Sequence, residues 1–140
     1  MTSAQIQGQA MMMAGLFELI LALMSGLMIF NWRRAARGTL DRNAYVGIRL
    51  PSTLRSHEAW VAGNRVAFRS APVYLLFNIG MCAALFVAAG NGWRLVVAFI
   101  GGVGLFVLII LLSCTAFFAN KAANAVGDRT RSPLTPPPRR

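Results

Sequence analysis

The sequence predicts an all-α membrane protein: three transmembrane helices, joined in part by a cytoplasmic loop that contains a short amphipathic interfacial helix. Three observations predict it. The chain of 140 residues is 56% apolar and only 13% charged, about half the roughly 25% expected of a soluble domain. Three apolar stretches reach the 20 or so residues needed to cross about 30 Å of hydrocarbon at a rise of 1.5 Å per residue. The 14 Lys and Arg residues outnumber 4 Asp and Glu, for a net charge of +10, and they lie between and beyond those stretches. The same composition argues against a disulfide scaffold. The position of the charge argues against nucleic-acid binding, the usual reading of a strongly basic chain.

The first span covers about 11–31 and contains one charge, Glu18. Residues 1–10 carry none, and the apolar run is longer than a signal-peptide core, with Arg33 and Arg34 behind it as a stop-transfer signal. This span is therefore expected to remain as a helix. The second span, about 71–90, and the third, about 95–119, contain no charge. Only Asn91, Gly92, Trp93 and Arg94 separate them, so they form an antiparallel hairpin. Trp32 and Trp93 sit at span ends, where interfacial tryptophans belong.

Three spans place the termini on opposite sides, and the basic residues choose the sides. Arg33, Arg34, Arg37, Arg42, Arg49, Arg55, Arg65 and Arg69 fall in the loop 33–70, and the other basic residues except Arg94 follow the third span. Short basic loops stay cytoplasmic, which predicts an outside N-terminus and a cytoplasmic C-terminus. The near-absence of lysine points to a GC-rich bacterial genome, hence a bacterial plasma membrane. Residues 1–128 are expected to form a single membrane domain. The Pro/Arg-rich tail 129–140 is expected to be disordered, drawn towards anionic headgroups.

Helices in lipid associate through small residues and polar contacts, because apolar burial no longer discriminates. Gly15, Ala22 and Gly26 share a stripe with Glu18 and Ser25 in the first span; Gly80 and Ala84 are spaced by four in the second; Gly101 and Gly104 stand close in the third. These faces suit a compact three-helix bundle or a homo-oligomer. Glu18 stands out as an intramembrane charge, since an ionised side chain there costs about 2.5–3.5 kcal/mol. It is expected to be paired, protonated or functional, with Ala83 and Gly102 at the same depth. Asn78 lies deeper and reads as a packing polar group. Cys82 and Cys114 differ by roughly 16 Å in height along their helices, beyond the reach of a disulfide, so both are expected as unpaired thiols.

The loop has its own punctuation. Asp41-Arg42-Asn43 reads as a turn, and Gly47 to Pro51 as extended chain, because the residue before a proline avoids the helical region. A helix follows from Ser56 to about Phe68, with N-cap choices among Ser52 to Ser56 and Glu58 in its first turn, where the helix dipole favours an acid. Trp60, Val61, Ala67 and Phe68 are its apolar positions; Glu58, Arg65 and Arg69 are charged, as suits a helix lying on the membrane surface. Arg49, set among apolar neighbours, needs an anionic partner, and Asp41 and Glu58 are the acids the loop offers.

The run Asn43-x-x-x-Gly47-Ile48-Arg49-x-Pro51-x-Thr53-Leu54-x-Ser56-x-Glu58-Ala59-Trp60 resembles the signature of the SdpI-like family of bacterial membrane proteins. The resemblance covers about 39–70 by specific residues and the flanking spans by pattern. Asn64 stands where members of that family often carry a histidine, and the chain is shorter than the founding member. The resemblance implies an immunity or signalling protein that intercepts a toxic, membrane-active peptide and holds a soluble regulator on its cytoplasmic loop.

Enzymatic chemistry has little support. His57 is the one histidine, no cluster offers the three or four ligands of a usual metal site, and no glycine-rich phosphate loop follows a strand. No catalytic residue, metal or cofactor is expected. Two readings stand: the immunity protein that the resemblance implies, and an accessory subunit whose small-residue faces dock onto a larger membrane complex. The partners are then the bilayer with its anionic headgroups, and a toxic peptide, a soluble regulator, complex subunits or a second copy.

Overall fold

A computed structural model of the chain describes residues 2–42 and 45–131. Four helices follow one another: α1 (Ser3–Ala36), α2 (His57–Arg69), α3 (Ala71–Gly90) and α4 (Arg94–Arg131). No strand occurs among the described residues. Three helical stretches, Ser3–Ala36, His57–Gly90 and Arg94–Gly127, are long and apolar enough to cross a membrane. The all-helical class and the three spans are as the sequence predicts. Asn43 and the segment 132–140 lie outside the described residues, whereas 129–131, expected as tail, continue the backbone of α4.

The helices overrun the spans they contain. α1 has 34 residues and α4 has 38, so each exceeds the roughly 30 Å of hydrocarbon by about 20 Å or more. Apolarity sets where a span stops, but helix propagation adds one backbone bond per residue and continues through good helix formers such as the Gln and Ala residues before Met11. α2 and α3 are separated by Ser70, itself in the right-handed helical region at φ −81° and ψ −5°. Pro72 follows in the first turn of α3, where its missing N–H costs nothing. Between α3 and α4 the chain reverses through Gly92, at φ +71°. Its N–H donates to the Ala89 carbonyl at 2.9 Å and the Trp93 N–H to the Ala88 carbonyl at 3.1 Å, the paired bonds of a Schellman cap.

The chain divides into two compact units. One comprises Met1–Phe30 and Arg69–Thr115, the other Asn31–Phe68 and Ala116–Arg140. The first unit packs Ala10, Ala14, Leu85, Ala88, Ala89 and Val97 into a buried core, with Met13, Phe17, Met81 and Ile100 against it. Gly101 and Gly104 serve this packing: a Cβ on Gly101 would lie 2.5 Å from the Phe17 ring, and one on Gly104 would collide with the Met81 methyl.

The small residues singled out in α1 and α3 are not part of this core. Nothing lies within 4 Å of where a Cβ would stand on Gly15, Gly26 or Gly80, and Ala22 and Ala84 are exposed. The buried positions of α1 in this unit are instead Ala10, Ala14, Leu21 and Ser25. Spacing identifies residues that share a face but not which face a neighbour covers, and here Ala10 and Ala14, earlier in α1, line the seam. Large apolar side chains such as Leu76, Ile79, Phe99 and Phe106 are exposed, an arrangement that lipid tolerates and water does not.

In the second unit Ala35, Leu40 and Trp60 form a core with Leu54 and Val61 packed on it. Trp32 is 3% exposed and Trp93 55%. Trp93 is thus free to face headgroups, whereas Trp32 is buried.

Candidate functional site

The segment joining α1 to α2 lacks the repeating bonds of a helix, so its backbone must find partners elsewhere. Three side chains supply them. Asn64, fully buried on α2, accepts the Ile48 N–H on Oδ1 at 2.9 Å and donates from Nδ2 to the Trp60 carbonyl at 3.0 Å. Thr53, also fully buried, accepts the Leu50 N–H at 2.9 Å on an Oγ1 that lies 2.8 Å from the Ile48 carbonyl and 2.9 Å from that of Leu50. Trp60, likewise buried, donates from Nε1 to the Leu40 carbonyl at 3.1 Å. Leu40 and Ile48 are thereby tied to α2, and Leu50 to Thr53 just before it.

Gly47 closes the knot. Its φ is +101°, and a Cβ there would sit 2.8 Å from the Trp60 ring and 3.1 Å from Asn64 Oδ1. Both the conformation and the space therefore require glycine. Gly63 does a related service on α2, since a Cβ would meet the Thr53 methyl at 2.7 Å and the Ala119 carbonyl at 3.3 Å. Ser52, buried, donates to Asn120 Oδ1 on α4.

Ser56 is the N-cap of α2. Its Oγ accepts the Ala59 N–H at 3.1 Å and its carbonyl accepts the Trp60 N–H at 3.0 Å, as a capping serine should. Glu58 beside it is exposed. Its own main-chain N–H holds the carboxyl below the usual carboxylate range, helped by the Ser56 hydroxyl, His57 and Arg42.

The structure therefore gathers Gly47, Ile48, Thr53, Ser56 and Trp60 of the signature, and leaves Arg49 and Pro51 exposed. One expectation is corrected. Among the described residues no ion pair joins Arg49 to Asp41 or Glu58; the arginine acting on Glu58 is Arg42. Along extended chain neighbours face opposite ways, so with Ile48 and Leu50 half-buried the guanidinium between them faces outward. Sequence reasoning passed over Asn64 as a contact residue. The signal was there: Trp60, Gly63, Asn64 and Ala67 recur at i, i+3, i+4 and i+7, and all four are buried.

The first unit holds a second polar group of residues. Asn78 donates to Ser25 Oγ at 3.0 Å and to the Tyr74 carbonyl at 2.7 Å. The Tyr74 hydroxyl pairs with Thr115 Oγ1 at 2.9 Å, and Ser70 approaches the same oxygen at 3.4 Å. Glu18 borders a cleft of about 480 Å³ lined also by Leu75, Asn78, Ile79, Cys82 and Ala83. Ala83 thus lines the same cleft as Glu18, while Gly102 is exposed. Cys82 and Cys114 are free thiols. Among the described residues no group of three His, Cys, Asp or Glu side chains is placed to hold a metal ion.

A family model described as the SdpI/YfhL protein family matches residues 39–116, a stretch that contains all but the start of the loop, α2, α3 and most of the apolar part of α4. No curated protein and no solved structure matches the chain.

Proposed function

From the premise that the chain belongs to the SdpI/YfhL family of membrane proteins, we propose that it is an immunity or signalling protein that protects a bacterial cell from a membrane-active toxic peptide. The observation that carries this reading is the ordered loop. Gly47, Ile48, Thr53, Ser56 and Trp60 of its signature hold the described backbone, and Arg49 is presented outward from it. A guanidinium on a rigid, exposed segment is suited to bidentate recognition of a carboxylate or phosphate, whether on a soluble regulator or a lipid headgroup. The proposed topology has the N-terminus outside and the loop and C-terminus in the cytoplasm, where the positive-inside rule puts the loop arginines. The role is binding, with no chemical step.

The test is growth of cells challenged with the killing peptide of the producing bacterium. Arg49→Gln leaves the buried knot untouched, so it should abolish protection at unchanged protein level. Unaltered resistance in that variant would sink the assignment of Arg49.

A specific observation also favours the accessory-subunit reading: Gly15, Gly26 and Gly80 have open space beside them, as residues awaiting another helix would. Replacing Ala22 and Gly26 with Leu should then detach the protein from co-purifying membrane subunits identified by mass spectrometry. Continued co-migration would rule that docking face out.

A further inference from the structure

Glu18 has no counter-charge to pair with in the membrane. No other charged residue occurs in α1 from Ser3 to Trp32, in α3, or in α4 from Leu95 to Asn120. An unpaired carboxylate in hydrocarbon is costly, and such a group neutralises rather than bear that cost. Geometry adds a second, independent observation. Glu18 Oε2 and Asn78 Oδ1 are both buried acceptors without a hydrogen-bond partner, and both residues line the same cleft. The Asn78 amide cannot simply turn over, because its Nδ2 is committed to Ser25 and to the Tyr74 carbonyl. Two acceptors and no donor is an arrangement that one hydrogen corrects.

We propose that the Glu18–Asn78 cleft is a proton-binding site: Glu18 is a carboxylic acid whose O–H donates to Asn78 Oδ1. The proton removes the charge and supplies the donor that both oxygens lack. The other titratable group lining the cleft is the Cys82 thiol, on α3; Leu75, Ile79 and Ala83 are apolar, and α4 brings no charged side chain at this depth. The cleft opens sideways, since Leu75 and Ile79 on its wall are 56% and 67% exposed. The cleft is therefore open towards the lipid phase. This site is independent of the role proposed for Arg49.

Reaction with a hydrophobic carbodiimide tests the site on full-length protein in phosphatidylcholine vesicles. The reagent needs a protonated carboxyl: the acid oxygen adds to the carbodiimide carbon, the acid proton passes to a nitrogen, and the whole reagent is retained as an acylisourea. At about pH 8 an ordinary water-exposed carboxyl is ionised and inert to the reagent. Intact mass and peptide mapping should show one adduct, on Glu18, and its loss in Glu18→Gln. Infrared spectra provide a readout independent of the reagent. The wild-type protein should show a protonated-carboxyl C=O band at neutral pH that is absent in Glu18→Gln and moves to higher frequency in Asn78→Leu, where its acceptor is gone. Absence of the band at neutral pH, or adducts that persist in Glu18→Gln, would overturn the proposal. A band unmoved by Asn78→Leu would overturn the assignment of Asn78.

Discussion

The two units use polar side chains in opposite ways. In the unit that contains the loop, Asn64, Thr53 and Trp60 spend their hydrogen bonds on backbone groups of Ile48, Leu50 and Leu40. In the unit that contains most of the apolar spans, the buried polar contacts between helices run from side chain to side chain, as Asn78 with Ser25 and Tyr74 with Thr115. The difference follows from the backbone. A helix in lipid already satisfies its own N–H and C=O groups, so side chains are left to hold helices together. An irregular loop has no such internal supply, and each buried amide needs a side chain aimed at it. Losing a polar side chain should therefore cost more in the loop than in the spans.

Gly47→Val breaks the comparison at its strongest point. The branched side chain would have to hold φ near +101° and enter the space occupied by Trp60 and Asn64. Backbone strain of about 1–3 kcal/mol and overpacking of about 1–3 kcal/mol should together unfold the loop. Hydrogen exchange should then show the Ile48 and Leu50 amides unprotected while α3 remains protected. Asn64→Leu comes next. It strips the Ile48 N–H of its acceptor, at a cost of about 1–3 kcal/mol for a buried group left unpaired, seen as a lower midpoint of thermal unfolding. Tyr74→Phe removes one side-chain contact between α3 and α4, and such intramembrane bonds average about 0.6 kcal/mol. A loss in Tyr74→Phe equal to that in Asn64→Leu would erase the distinction between the units.

The smallest effect belongs to Glu58. Its carboxyl titrates below the ordinary 4.5 in the folded protein, so the ionised form favours folding. That contribution is complete above the unfolded value and is lost as pH falls through the folded one. Because the side chain is exposed, the loss is slight. Thermal unfolding of wild type and Glu58→Gln compared at neutral pH and on the acid side of 4.5 should show the difference between them narrowing in acid.

The same contrast explains what the sequence disclosed. The spans were legible because hydrocarbon thickness demands a minimum apolar length, and the α3–α4 reversal because four residues permit only a hairpin. The Ser56 cap and the helix behind it were legible from residue chemistry. Which face of α1 packs was legible only in part: a spanning helix is apolar all round, and of the stripe that holds Gly15, Ala22, Ser25 and Gly26 it is Ser25 that is buried. The missing Arg49 partner had a different cause. Charge complementarity named two acids, but the extended backbone aims Arg49 away from the side on which its neighbours are held, and aim is a property of three dimensions.

The way Ile48 and Leu50 are held also bears on how the loop ages in a cell. Proteases bind their substrates as extended strands, engaging main-chain groups on both sides of the bond to be cut. An arginine-rich connection would ordinarily invite trypsin-like cleavage. Here the amides flanking Arg49 are already occupied by Asn64 and Thr53, so the side chain is on display while its peptide bond is withheld. Cutting at Arg49 must wait for the knot to open, and the lifetime of the exposed arginine is set by the stability of the buried residues beneath it.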